Sequence, residues 1–230
     1  MKRVSWLLLL FAFVGGSQAF GDPVVYNEPA GQGTQNFYGN LANFFTVNSS
    51  VTVVSLGVFN ASGTGYIAGP IQVGLYDVTA GIQVGPTVTF QGQYTPQGLG
   101  YDVFQSITPV TLVAGDLYEV DAVGFSVADP NGNLNTGSSS GPALNNLGGA
   151  LSFPLGYSVY SFSTTLDFPT ATTNGGVLDR GGPNDQYVPA LYDAGTFAVS
   201  PEPSSLFLFG SGLLGLAGAL RHKFCRKLHV

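Results

Sequence analysis

The chain is 230 residues long, 44% hydrophobic and 13% aromatic, which excludes a disordered polypeptide and leaves room for one large domain or two small ones. Only 9% of its residues are charged, against about 25% in an average soluble protein. Six of its seven cations lie at the ends: Lys2 and Arg3 at the start, Arg221, Lys223, Arg226 and Lys227 at the finish. Between residues 20 and 200 a single cation, Arg180, stands against twelve acids. A nucleic-acid-binding domain is therefore excluded, because no basic surface is available to neutralise phosphates. The 33 Gly and 14 Pro follow no period, which argues against collagen and for a turn-rich all-β domain.

In chain order, Lys2 and Arg3 precede an apolar run from Trp6 to Val14, followed by Gly15-Gly16 and the small-residue pattern Ser17-Gln18-Ala19. The order charged, apolar, small is that of a secretory signal peptide over residues 1–19, with cleavage expected between Ala19 and Phe20. The apolar run is too short to span a bilayer.

Residues 20–199 read as one exported β domain. Short β-branched and aromatic runs separated by turn residues predict strands at Phe37–Val47, Val51–Phe59, Ile71–Asp77, Thr87–Gln91, Tyr101–Ile107, Leu117–Phe125, Gly156–Phe162 and Gln186–Val199. In Leu117-Tyr118-Glu119-Val120-Asp121-Ala122-Val123 the alternation places Glu119 and Asp121 together on one face, expected to be the wet one. No stretch carries a helical stripe. Parallel strands would need crossover connections, so two antiparallel sheets of four or five strands each, packed as a jelly-roll-like sandwich, are expected. Gly74-Leu75-Tyr76-Asp77 and Thr108-Pro109-Val110-Thr111-Leu112, followed by Ala114-Gly115-Asp116 and Tyr118, resemble a strand and turn pattern of bacterial exported sandwich modules. Ala114 to Asp116 is then the turn, and the Tyr118 hydroxyl needs a partner. Residues 126–152 and 170–185 read as long loops. The one Cys, Cys225, lies outside this domain, so no internal disulfide contributes to its stability.

The same stretch is poor in chemistry. Both His residues, His222 and His229, lie in the tail, so the body has no His, Cys or Lys. Ser–His–Asp and Cys–His hydrolysis are excluded, and so is a His-ligated zinc site. A glycosidase-like carboxylate pair is formally open among the acids, but these sit mostly at turns or on the expected wet faces. The body is read as non-enzymatic and without a cofactor. Asp129-x-Asn131-x-Asn133 has the alternating oxygens that open a calcium loop, yet Leu134 stands where an EF-hand needs Gly, and Asp-Pro-Asn-Gly is also an ordinary turn. Trp6 leaves with the signal peptide, so a sugar platform would fall to Tyr26, Tyr38, Tyr66, Tyr94, Tyr101, Tyr157, Tyr160, Tyr187 and Tyr192.

The last segment, residues 200–230, reads Ser200-Pro201-Glu202-Pro203-Ser204-Ser205, an uncharged run from Leu206 to Leu220, then Arg221-His222-Lys223-Phe224-Cys225-Arg226-Lys227. As helix, the run covers about 22 Å at 1.5 Å per residue. With Ser204 and Ser205 included and Arg221 and Lys223 snorkelling, it reaches across a thin membrane. The basic cluster would stop transfer and stay cytoplasmic. A GPI signal would end in its apolar stretch, a sortase substrate would carry Leu-Pro-x-Thr-Gly, and a lipoprotein would place Cys where Phe20 stands. Pro201-Glu202-Pro203, the apolar run and the basic tail together resemble the PEP-CTERM sorting signal of Gram-negative bacteria. That resemblance implies recognition near Pro201, Glu202 and Pro203 by a membrane-embedded exosortase in cells that make extracellular polysaccharide. It implies an exported protein, transiently anchored through residues 206–220 and then displayed at the cell surface or in a biofilm matrix. Its role is expected to be structural and associated with polysaccharide, the alternative being a lectin-like carbohydrate-binding module.

Overall fold

The computed structural model describes residues 22–27, 33–97, 101–134, 141–153, 158–168, 177–178 and 191–200. The signal peptide with Ala19 and Phe20, the sorting motif, the apolar run and the basic tail lie outside the described residues, as do Tyr157 and Tyr187. Among the described residues no helix is long and apolar enough to cross a membrane.

The main strands are antiparallel and follow the β-branched runs. In chain order they are β1 (Tyr26–Asn27), β2 (Asn40–Val47), β3 (Val51–Phe59), β4 (Tyr66–Asp77), β5 (Ile82–Gln93), β6 (Pro96–Gln97), β7 (Asp102–Leu112), β8 (Leu117–Val123), β9 (Ala143–Leu144), β10 (Leu151–Ser152), β11 (Ser158–Ser161), β12 (Val177–Leu178) and β13 (Gly195–Val199). One sheet has the order β12-β11-β2-β8-β4-β5 with β10 added to β2, the other β13-β3-β7-β6; β1 and β9 form a small ribbon. The chain passes from sheet to sheet between β2 and β3, β3 and β4, β5 and β7, and β7 and β8, so neighbouring strands in each sheet are mostly distant in sequence.

The two sheets enclose an apolar core. Leu41, Phe45 and Val47 of β2, Val73 and Leu75 of β4, and Tyr118, Val120 and Ala122 of β8 face Val53, Leu56, Val58, Val103 and Phe197 of the smaller sheet. The Phe45 ring lies 4.8 Å from Phe197 and 5.8 Å from Tyr118. The Tyr118 hydroxyl finds the partner it needs, accepting the Val113 N–H at 2.9 Å. This is an antiparallel β-sandwich.

Several boundaries differ from the sequence reading. β4 begins at Tyr66, β5 runs from Ile82 to Gln93 and β7 continues to Leu112, because hairpin and ladder pairing holds segments whose own propensity is weak. β2 begins only at Asn40, β11 ends at Ser161, and residues 191–194 precede β13, which begins at Gly195; the expected strand residues 156–157 and 186–190 lie outside the described ones. The region 126–152, read as loop, contains β9, β10 and a 3-10 turn at Leu147–Gly149. The sheets are also less equal than expected, seven strands against four.

One expectation is overturned. Glu119 and Asp121 do share a face of β8, but that face is not wet: both are fully buried. β8 lies between β2 and β4, and the outer side of this sheet is itself covered. Asn40, Ala42 and Phe44 of β2 and Val159 of β11 are buried there as well. Residues 162–168 cross it as a strap, with Phe168 stacked on Tyr76 at 4.9 Å. Gly74, opposite Asp121 in the ladder, makes room for it: a Cβ there would come within 2.7 Å of Leu166 Cδ2 and 2.9 Å of Phe168 Cζ.

Candidate functional site

Three features stand out: the carboxyl pair under the strap, an exposed cluster of aromatic rings beside it, and the edge from which the C-terminal tail departs.

The four carboxyl oxygens of Glu119 and Asp121 have no hydrogen-bond partner among the described residues. Burial and the nearby carboxylates of Asp121 and Asp167 push Glu119 up from 4.5 to about 9. Burial, with Asp167 adding to it, raises Asp121 well above the usual carboxylate range; the amides of Ala122, Phe168 and Leu41 oppose the shift weakly, none in hydrogen-bond geometry with it. Glu119 is therefore a neutral acid at pH 7 and Asp121 is pushed in the same direction, because an ionised carboxylate without partners is far costlier to bury than a protonated one.

The strap is tied to β2 by Asn40. Its Nδ2 donates to Ser161 Oγ at 3.2 Å and to the carbonyls of Ser163 and Thr165 at 3.1 and 2.9 Å. The Asn40 Oδ1 accepts the Asp167 N–H at 3.4 Å, and Ser161 Oγ donates to the Asp167 carboxylate at 3.0 and 3.1 Å. Just before Asn40 the chain runs so close to β11 that only glycine fits: a Cβ on Gly39 would overlap the Ser161 carbonyl oxygen. This approach gathers four rings at the end of β11. Phe37 stacks on Tyr38 at 5.7 Å and meets Tyr160 and Phe162 edge-on at 5.6 and 5.7 Å, and Tyr160 meets Phe162 at 5.6 Å. Phe37 and Tyr160 pack against the core, whereas Tyr38 and Phe162 are 53% and 58% exposed.

Among the described tyrosines singled out from the sequence, only Tyr38 and Tyr160 join one ring cluster. Tyr26 is buried against Phe153 and Phe197. Tyr94 is held by Gln91 and Gln105, and Tyr101 stacks on Phe59. Tyr66 is exposed elsewhere, on β4, and Tyr192 meets Asn43 through its backbone. Phe37 and Phe162, equally part of the cluster, were missed because a search for amphipathic rings passes over Phe. The alternation around Tyr160 and Phe162 was the available signal.

The oxygens of the Asp129–Asn133 segment are committed to the fold. Asp129 accepts the N–H groups of Ala68 and Gly69 at 2.8 to 3.1 Å, Asn131 Oδ1 accepts the Asn133 N–H at 3.0 Å, and Asn133 Oδ1 accepts the Asp193 N–H at 3.3 Å. Among the described residues no group of three His, Cys, Asp or Glu is placed to hold a metal ion. An open cavity of about 530 Å³ is lined by Asp22, Asn27, Gln97 and Asn145 with Val24 and Leu144; amides and one carboxylate suit a hydroxyl-rich ligand better than an anion.

The two ends of the sandwich lie side by side. Val25 N–H donates to the Phe197 carbonyl at 3.0 Å, Val199 N–H to the Pro23 carbonyl at 3.1 Å, and Ser200 N–H to the Thr52 carbonyl at 2.8 Å. Ser200, the last of the described residues, is immediately followed in sequence by Pro201-Glu202-Pro203.

The described residues define the class: an antiparallel β-sandwich. The family model for the PEP-CTERM protein-sorting motif matches residues 201–222, so the chain carries a PEP-CTERM sorting signal, which includes Pro201, Glu202, Pro203 and Arg221. Comparison with curated proteins and with solved structures gives no match. The motif supports sorting by an exosortase of an exported protein held transiently by a C-terminal membrane anchor.

Proposed function

We propose that this chain is a non-enzymatic component of the cell surface or extracellular matrix of a Gram-negative bacterium, exported through a signal peptide at residues 1–19 and associated with extracellular polysaccharide. The observation that carries this reading is the PEP-CTERM match at residues 201–222, attached directly to a sandwich whose final strand is closed by Ser200. A non-catalytic role is supported by a body without His, Cys or Lys and by the burial of the raised carboxyl pair Glu119 and Asp121 away from solvent. In this reading Arg221, Lys223, Arg226 and Lys227 hold the cytoplasmic side while residues 206–220 span the membrane.

Changing Pro201→Ala together with Glu202→Ala is expected to leave an uncleaved, membrane-retained form, whereas the wild-type protein recovered from the cell surface should lack residues 206–230 by mass spectrometry. Mature surface protein that still carries those residues would overturn the sorting route.

A second reading, a lectin-like carbohydrate-binding module, is favoured by one specific observation, the exposure of Tyr38 and Phe162 within a cluster of four rings.

A further inference from the structure

We propose that Phe37, Tyr38, Tyr160 and Phe162 form a stacking platform for the C–H face of a pyranose ring in a polysaccharide of low charge. The inference rests on the carbohydrate-binding reading and assigns it a place in the fold.

Exposed aromatic rings are disfavoured in water unless something holds them there. Here the support is built from buried parts. Gly39 permits the close approach of residues 37–40 to β11, and the fully buried Asn40 fixes the turn after Ser161 through the carbonyls of Ser163 and Thr165. Phe37 and Tyr160 root the cluster in the core, and Tyr38 and Phe162 turn outward. Rings fixed before binding lose little conformational freedom when a ligand arrives. Thr164 and Thr165, which follow Phe162 along the strap, are exposed as well.

Charge selects the occupant. A body with one cation against twelve acids, ten of them apart from the buried Glu119 and Asp121, repels anionic lipid and nucleic acid, and Asp167 stands on the same strap as Phe162. A second copy of the chain would bring the same negative charge with it. An uncharged surface of axial C–H groups meets no such repulsion, and stacking on the ring faces is the contact it makes best.

The test uses the full chain in detergent and two probes, the purified extracellular polysaccharide of the producing cells and cellohexaose, measured by titration calorimetry. Wild type is expected to bind saturably. The Tyr38→Ala, Phe162→Ala double variant should lose at least tenfold in affinity with an unchanged melting temperature, since both side chains are more than half exposed. Tyr66→Ala, which removes an equally exposed ring on β4, should bind as wild type does. Undiminished binding by the double variant would overturn the platform and leave the carbohydrate reading standing; no binding of either probe by wild type would overturn both. A dimer seen by sedimentation that the double variant abolishes, without any effect of the probes, would assign the rings to a second copy instead.

Discussion

Glu119 and Asp121 point the same way from the central strand β8 into the covered side of the larger sheet, both fully buried and both without a hydrogen-bond partner among the described residues. The groups that bear on them are each other and Asp167 on the strap; facing them from β2 and β4 are Asn40, Ala42, Phe44, Gly74 and Tyr76. No opposing cation is found among these, so the pair is stable only while protonated.

Stability should therefore depend on pH in the direction opposite to that of a salt-bridged acid. Glu119 is raised from 4.5 to about 9, so the folded state holds its proton more tightly than the unfolded one. That contribution is fully present below about 4.5 and is lost as pH rises toward 9, at up to about 1.4 kcal/mol per pH unit for each such group. Melting temperature measured between pH 5 and 9 should fall with pH. The Glu119→Gln, Asp121→Asn double variant should flatten that slope and melt higher than wild type at pH 8; a slope identical in both proteins would refute the assignment.

Asn40→Ala removes the donor that reaches Ser161, Ser163 and Thr165. The half-buried Ser163 carbonyl loses that donor, while the exposed Thr165 carbonyl keeps the Ser163 hydroxyl at 2.9 Å, and a destabilisation of about 1–3 kcal/mol is expected in denaturant titration. Amide hydrogen exchange should accelerate first in residues 162–168, because the strap is released before the sandwich opens.

At Gly39 the neighbour in the way is backbone, the Ser161 carbonyl, which cannot rotate aside as a side-chain end would. Gly39→Ala should separate β2 from the end of β11 and destabilise the protein, whereas Ser161→Ala, which keeps the backbone and removes only the hydroxyl, should cost less. Equal melting temperatures for Gly39→Ala and wild type would show that this approach is not required.

The junction with the tail gives a sharp contrast between two truncations. A chain ending at Ser200 keeps every residue of β13 and should fold as the full chain does. A chain ending at Ala194 loses β13 with Phe197, a ring that packs on Phe45 at 4.8 Å and on Tyr26 at 6.2 Å. Removing one buried Phe side chain alone costs about 3–5 kcal/mol, so the shorter chain should fail to melt cooperatively in circular dichroism.

Much of the fold is legible in the residues. The run Val51–Phe59 is a strand between the same residues in the sequence reading and in the structure, and Leu117–Val123 falls within the expected Leu117–Phe125, because alternating β-branched side chains can bury only one way. The turn before Tyr118 was equally clear. The platform was half legible: Tyr38 and Tyr160 were noted as rings with a polar tip, but nothing local joins residue 38 to residue 160. The pairing of Leu41 with Tyr160 across β2 and β11 does so.

By itself the sequence determined that this protein carries a PEP-CTERM sorting signal and which side chains its body lacks, since both depend on residue types along the chain: Pro-Glu-Pro, an apolar run and a basic tail at one end, and a body with a single cation and no His or Cys. Only the tertiary structure decided which faces stay wet. Period-two alternation states that Glu119 and Asp121 share a face, but says nothing about what lies over that face. The cover comes from residues 162–168, about forty positions further along the chain and held there by Asn40. Burial is set by distant segments that a local pattern does not contain, and so two acids that read as solvent-facing became buried groups that hold their protons well above the usual carboxylate range.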